Sequence, residues 1–252
     1  MIEVLILSII QGITEFLPVS SSSHLIIVSK YLDFENQSLS IDVSLHIGSF
    51  IAVITYFRED IFNFIKNKDL LLKIIISSIP VMLVGFLLIK LNLIDQLRNI
   101  EVIGWTTIIF GILLYVSDKC NLSKKIKNDF TFKSAIFVGF LQIFSLIPGV
   151  SRSGITISAA RILKFNRYDS TKISFLLSIP TLAAVSFFGF KNLITSGNTD
   201  FSTLNLISIF LSFIFSLITI KFFLNYIKNF NLNLFVIYRI ILGIFLLIIA
   251  YL

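Results

Sequence analysis

The sequence predicts an all-α polytopic membrane protein, an inverted-topology repeat of about six transmembrane helices and two re-entrant helix-turn-helix hairpins. Three observations carry that prediction. Of 252 residues, 56% are hydrophobic and only 14% charged, with a mean hydropathy of +0.94, which leaves too little polar surface to cover a soluble globule. Six apolar runs, near 41–57, 70–90, 102–117, 173–190, 203–221 and 234–252, could cross a hydrocarbon layer of about 30 Å as helices. Four shorter runs, near 3–17, 21–32, 134–147 and 154–164, form two pairs, each interrupted by a proline and a serine-rich turn.

The interruptions explain the hairpins. Proline removes a backbone donor and disfavours helix for the residue before it, so breaks are expected at Pro18 and Pro148. An internal repeat supports the same plan: at an offset of about 130 residues Pro18 lies over Pro148, Ser21 over Ser151 and Ser23 over Ser153. One residue further on, Ala52-Val-Ile-Thr-Tyr-Phe57 lies over Ala183-Ala-Val-Ser-Phe-Phe188. The expected organisation is one integral membrane domain, 1–252, with a first repeat over 1–117 and a second, inverted one over 133–252.

Loop charges set the expected orientation. Loops 58–69, 118–133 and 161–172 carry most of the Lys and Arg, whereas 91–101 has only Arg98 and 192–202 has none. The positive-inside rule puts the first group in the cytoplasm. The first hairpin then enters from outside and the second from the cytoplasm, so that the broken helices meet near the midplane with their N-terminal dipoles available to an anion. The formal net charge of +7 is accounted for by topology and does not call for a nucleic-acid partner. Cys120, the single cysteine, excludes an internal disulfide. No cleaved signal peptide is expected, because Glu3 replaces a basic leader and the first apolar stretch carries Gln11 and Glu15.

Within these hairpins lie the residues with chemical promise. Glu15 is the only formal charge between Glu3 and Lys30, and Arg152 the only one between Lys133 and Arg161. An ionisable group at membrane depth is costly enough to mark a functional site, and each is the natural partner of the other. Arg152, flanked by Ser151 and Ser153 at the start of a short helix, offers a guanidinium fork, two hydroxyls and free N–H groups, the parts of a phosphate cradle. Gln11 and Glu15 share one helix face at i, i+4. Ser20 to Ser23 and His24 follow, so a carboxylate, a hydroxyl and an imidazole fall within a few turns, as an activated nucleophile requires. The bland reading makes the serines caps, His24 interfacial and Glu15 a structural counter-ion. His46, at the start of a long helix, is of a kind that is more often structural, and it stands only as a candidate to support the site from behind. Glu59, Asp60, Asp69, Asp118 and Asp129 are expected to be solvated in loops, and neither a zinc-type cluster nor a P-loop is present.

The runs Gln11-Gly-Ile-Thr-Glu15, Glu15-Phe-Leu-Pro-Val-Ser-Ser-Ser-Ser-His24, Pro148-Gly-Val-Ser-Arg-Ser-Gly-Ile-Thr156 and Phe175-Leu-Leu-Ser-Ile-Pro180 resemble the signature motifs of the bacitracin-resistance family of undecaprenyl-diphosphatases. The resemblance covers essentially the whole chain. It implies hydrolysis of undecaprenyl diphosphate, an inverted repeat in the bacterial inner membrane, a site open to the periplasm and support from a divalent cation, Mg²⁺ or Ca²⁺. By position, Glu15, Ser21, His24 and Arg152 resemble the family's catalytic set, and Gln11, Ser151, Ser153 and Thr156 its supporting residues. Two departures stand out: Gln11 replaces the Glu of some members, and Ser23 stands where Gly commonly precedes the His.

The resulting expectation is phosphoryl transfer on a membrane-embedded polyprenyl diphosphate, with Ser21 as nucleophile and proton transfer shared by Glu15 and His24. Direct attack by water, with Ser21 only binding, is the alternative route. A polyprenyl-phosphate flippase or transporter is the alternative function, since inverted repeats with broken helices are also a transporter architecture. The type-2 phosphatidate phosphatases are a poor match, because both histidines, His24 and His46, precede the Ser-Arg element. The sequence leaves monomer and homodimer open.

Overall fold

The structure is a computed structural model, described for residues 1–32, 38–64, 68–91, 93, 95–120, 124–195 and 203–252. Among these residues there are twelve α-helices: α1 (Ile2–Thr14), α2 (Ser21–Leu32), α3 (Leu39–Tyr56), α4 (Arg58–Phe64), α5 (Lys68–Lys90), α6 (Ile100–Asp118), α7 (Ile126–Asp129), α8 (Phe132–Gln142), α9 (Arg152–Ile162), α10 (Arg167–Thr195), α11 (Thr203–Asn229) and α12 (Asn233–Tyr251). Six of them, α3, α5, α6, α10, α11 and α12, are long and apolar enough to cross a membrane. They coincide with the six long apolar runs. The four short runs become α1, α2, α8 with its 3₁₀ extension Ile143–Leu146, and α9, and the chain breaks around Pro18 and Pro148.

Polar side chains punctuate the apolar sequence where helices begin. Ser38, Asn99 and Thr131 cap α3, α6 and α8, accepting from the N–H groups of Ile41, Val102 and Ser134 at 3.0–3.3 Å. Such caps satisfy donors that have no intrahelical acceptor. Loops 58–69 and 118–133, read as irregular from sequence, contain the short helices α4 and α7. Lys66 and residues 121–123 and 196–202 of the expected loops lie outside the described residues.

Packing partners cross between the two halves of the chain. Helix α1 packs on α11 and α8 on α5, while α3 meets α10 and α6 meets α12. Without a hydrophobic drive between helices in lipid, close approach needs small residues and hydroxyls. At the α3–α11 contact Gly48 faces Ile209 and Ser212, and Ser49 Oγ lies 3.2 and 3.0 Å from the hydroxyls of Ser212 and Ser216. At α6–α12, Gly104 and Gly243 face one another, and at α5–α8, Gly139 lies against the Ser77 backbone.

The core beneath the first hairpin is aromatic. Phe16, fully buried, meets Phe175 edge-on at 5.3 Å between centroids, and Phe175 continues to Phe57 and Phe223. Phenylalanine, uninformative as a compositional excess, thus anchors the residue next to Glu15.

Asp118 departs from expectation: it is buried rather than solvated. Its carboxylate pairs with Arg161 Nε at 3.1 Å and with both Nε and Nη2 of Arg167 at 2.8 and 3.1 Å, and accepts from Leu232 N–H at 3.2 Å. Arg161, expected among the loop charges, is itself fully buried and donates to the carbonyls of Phe165 and Asp118. This network ties together one end of α6, α9, α10 and α12. Sequence proximity to basic residues was read as solvation, but three donors converging on one carboxylate are what allow it to be buried.

Gly48 provides a test of the packing. A Cβ there would sit 2.4 Å from Ile209 O, so Gly48→Ala should destabilise the α3–α11 contact by about 1–3 kcal/mol, the usual cost of overpacking. Gly85, where a Cβ meets nothing nearer than Leu146 Cδ2 at 3.4 Å, should accept alanine with little change in the melting temperature of the detergent-solubilised protein.

Candidate active site

The first hairpin is shaped by where its helix stops. Helix α1 ends at Thr14, and Glu15, still in the right-handed helical region, donates its N–H to Gln11 O at 3.0 Å. The chain then turns through Pro18 to Ser20, whose φ of 76° lies in the left-handed region, and α2 starts at Ser21. The second hairpin repeats this geometry: Pro148, Gly149 (φ 93°) and Ser151 (φ 69°) lead into α9 at Arg152. A non-glycine residue in that region costs on the order of 1–2 kcal/mol, so two serines there mark equivalent turns. By backbone conformation Ser20 matches Ser151, one residue away from the alignment read from sequence, and Ser21 therefore occupies the place of Arg152.

The two turns bring Glu15, Ser21 and Arg152 together. Arg152 Nη2 donates to Glu15 Oε1 at 2.9 Å across 137 residues of sequence. Ser21 Oγ donates to Glu15 Oε2 at 2.6 Å, and Gln11 Nε2 donates to the same oxygen at 3.1 Å. Both carboxylate oxygens are thus engaged, with the side chain only 7% exposed. Ser22, the neighbouring hydroxyl, is exposed and reaches only Ser20 Oγ at 3.4 Å. Among the serines of the first turn, Ser21 is the one bonded to the carboxylate.

His46, on α3, joins from behind, with Nδ1 3.1 Å from Gln11 Nε2. The amide must present nitrogen to Glu15, since oxygen there would face a carboxylate. His46 Nδ1 is then the acceptor. The consequence is an unsatisfied atom: Gln11 Oε1 is buried with no hydrogen-bond partner, as is Arg152 Nη1. A buried acceptor and a buried cationic donor left open at one site are what a ligand carrying both anionic oxygens and a counter-cation would fill.

His24 has both ring nitrogens engaged by groups other than Ser21 and Glu15. Its Nδ1 donates to the Ser20 carbonyl at 2.7 Å and its Nε2 lies 2.5 Å from the Tyr238 hydroxyl, which therefore donates to it. The two rings stack with centroids 5.8 Å apart. Among Glu15, Ser21 and His24, Ser21 bonds Glu15 directly, while His24 is bonded to Tyr238 of α12.

The supporting residues of the second hairpin spend their hydroxyls on the fold. Ser151 Oγ caps α9 by accepting from Gly154 N–H at 3.1 Å and lies 3.1 Å from Ser153 Oγ. Ser153 Oγ donates to the Leu17 carbonyl of the first turn at 2.7 Å. Thr156 Oγ1 turns back to Arg152 O at 2.8 Å and lies 2.7 Å from Ser174 Oγ. What this helix start offers a ligand is Arg152 Nη1 and the N–H groups of Arg152 and Ser153, which have no intrahelical acceptor.

Sequence reasoning missed Tyr238 and Arg239. Arg239 is fully buried in α12, and its guanidinium donates to Thr107 O (3.2 Å), Pro18 O (3.1 Å), Val150 O (3.0 Å) and Gly149 O (2.8 Å). The signal was available: it is a lone charge in an apolar run, as Glu15 and Arg152 are.

The chain is similar over its length to known proteins. The family model described as bacitracin resistance protein BacA matches residues 4–245. An undecaprenyl-diphosphatase of Pelagibacter ubique (strain HTCC1062) is 52% identical over 251 residues, covering 99% of this chain and 98% of that protein. Undecaprenyl-diphosphatases of Jannaschia sp. (strain CCS1) and Saccharophagus degradans (strain 2-40 / ATCC 43961 / DSM 17024) are 39% and 40% identical, covering 98% and 94% of this chain and 97% and 93% of their own lengths.

Arg152→Lys retains the charge and loses the fork that serves Glu15 with one nitrogen and leaves the other open. Turnover of a phosphorylated lipid should fall on the order of 100- to 1,000-fold, as when one well-placed transition-state donor is removed. Near-full kcat in the Lys variant would reduce Arg152 to a counter-ion.

Proposed function

We infer that this chain, which belongs to the bacitracin resistance protein BacA family, hydrolyses undecaprenyl diphosphate to undecaprenyl phosphate and inorganic phosphate, recycling the lipid carrier of peptidoglycan synthesis. The observation that carries the chemistry is the Ser21 hydroxyl donating to Glu15 at 2.6 Å beside a guanidinium with one nitrogen unpartnered. A binding protein needs the cradle alone; a hydroxyl bonded to a carboxylate is the arrangement of a nucleophile with its base. That bond favours the enzyme over a flippase.

In this reading the terminal phosphoryl group sits at the starts of α2 and α9, where the backbone N–H groups and Arg152 Nη1 meet its oxygens. Glu15 takes the Ser21 proton as Oγ attacks the terminal phosphorus, the bridging P–O bond breaks, and undecaprenyl phosphate departs. Water then attacks the phosphoserine with its proton passing to a carboxylate or imidazole, inorganic phosphate leaves, and Ser21 regains its proton. Arg152 and the helix N-termini stabilise charge that builds on the phosphoryl oxygens, the largest lever available for such a transfer. In the same reading Glu15 is the partner of Ser21, and His24, bonded to Tyr238, serves as the second proton-transfer group.

A divalent cation, Mg²⁺ or Ca²⁺, belongs to the same proposal. Among the described residues no group of three His, Cys, Asp or Glu side chains could hold one, but the Glu15 carboxylate and the open Gln11 Oε1 suit a cation that arrives on the diphosphate. Such a cation would neutralise charge on the phosphoryl oxygens.

The crossed packing partners and the two matching left-handed serines support the inverted repeat. With the basic loops inside, the termini and the open side of the site face the periplasm of a bacterial inner membrane. Single-cysteine labelling in a Cys120→Ser background should find 124–133 accessible only from the cytoplasm. Labelling of that segment in intact cells would reverse the orientation.

The activity test is phosphate release from undecaprenyl diphosphate by the purified protein in detergent. Ser21→Ala should abolish turnover while lipid diphosphate still binds, and Ser22→Ala should be tolerated. Wild-type protein quenched with substrate labelled in the terminal phosphate should carry the label on Ser21. Should Ser21→Ala keep a substantial part of kcat, water activated by Glu15 would replace the covalent route.

A further inference from the structure

Breaking both helices creates an electrostatic problem that the residues around Glu15 do not solve. In the phosphatase reading the first N–H groups of the following helix serve the phosphate, and the carbonyls of the turn itself still need donors of their own. In the first turn these include Leu17 and Pro18, and in the second Pro148, which accepts from Thr106 Oγ1 at 2.6 Å, Gly149 and Val150. Ser153 serves Leu17. The other three converge on Arg239, together with Thr107 O of α6.

This placement does more than fill lone pairs. A single planar group, fully buried, grips the first turn two residues before Ser20 and the second turn at the two residues before Ser151. Ser21 and Arg152 each follow directly from those grips, and both must meet the two oxygens of Glu15. The distance between the starts of α2 and α9 is therefore set by the fork of Arg239, with α6 as the third point of attachment. Space is matched to it: a Cβ on Gly154, in the first turn of α9, would come within 3.2 Å of Arg239 Nη1, and one on Gly111 within 3.2 Å of Arg239 Cβ. Because all four acceptors are carbonyls and none a carboxylate, the group also keeps its positive charge beside an anion site.

We propose that Arg239 is a positioning residue of the reaction, holding the two hairpin turns in register so that Ser21 and Arg152 address the same phosphoryl group. It acts through the turns and touches neither the nucleophile nor its base. The inference rests on the phosphatase reading above, and the test separates the two.

Arg239→Lys keeps a cation but offers three donors on a flexible stem in place of a planar fork, so it cannot hold three turn carbonyls and Thr107 O in one plane. In the detergent phosphate-release assay kcat should fall on the order of 100-fold, the usual effect of misplacing reacting groups by about 1 Å. KM and inhibition by inorganic diphosphate should stay near wild type, since charge and cradle remain. Gly111→Ala, which leaves the cation in place and crowds the Cβ and Nε of Arg239 from α6 without touching either turn, should lower kcat in the same sense and decides the matter if the Lys variant does not fold, as judged by melting temperature and monodispersity. A folded variant that retains wild-type kcat, with or without a raised KM, would overturn the proposal and leave Arg239 as a remote charge or a plain structural tie. Absence of phosphate release by the wild-type protein would instead overturn the activity.

Discussion

The fold depends on one constraint: every backbone group released by a broken helix must find a partner inside the protein, because lipid supplies none. Two breaks at Pro18 and Pro148 release carbonyls on one side and N–H groups on the other. The carbonyls are answered by Ser153, Thr106 and Arg239. The first N–H groups of α2 and α9 lack intrahelical acceptors, and one nitrogen of Arg152 has no partner. The separation of the two sets makes the breaks useful: one side is closed by side chains, and the other faces Glu15 and Ser21.

Charge follows the same division. Glu15 is shared by Arg152, Ser21 and Gln11, so its charge is spread over three donors before any substrate arrives. Arg239 has carbonyl partners only, and the region around the turns carries one more positive group than negative ones. An anionic diphosphate restores the balance. A carboxylate held in this way can take a proton from Ser21 without moving, which limits the reorganisation needed in the transition state.

The spans were legible in the sequence because hydropathy over about 20 residues is a property of a window, and all six long runs became helices. The breaks were legible because proline and a serine run are local signals, and Glu15 with Arg152 because each is alone in its segment. Other features depend on distant pairings that no window holds. Asp118 looks solvated beside Lys119 and becomes buried only through Arg161, Arg167 and the Leu232 backbone. His24 looks like the partner of Ser21 by proximity, and Tyr238, 214 residues away, takes its ring nitrogen. Arg239 was visible by the same rule that singled out Glu15, but the run around it is so apolar that a single charge hardly changes its average. The hairpin register slipped by one because the prolines align at one offset and the left-handed serines at the next.

The crossed packing of α1 on α11, with the first turn held from α12, has a consequence for biogenesis. The first hairpin leaves the ribosome more than 200 residues before the helix that grips it, which at about 5–20 residues per second amounts to roughly ten seconds or more. For the first 137 residues of that interval Glu15 has no Arg152 to pair with, and Arg239 is absent until its end. The early hairpin must wait at the surface or beside the insertion machinery, and the final span acts as a clasp that closes the earliest segment. A chain that stops before α12 therefore holds Glu15, Ser21 and Arg152 but lacks the guanidinium that joins the two turns.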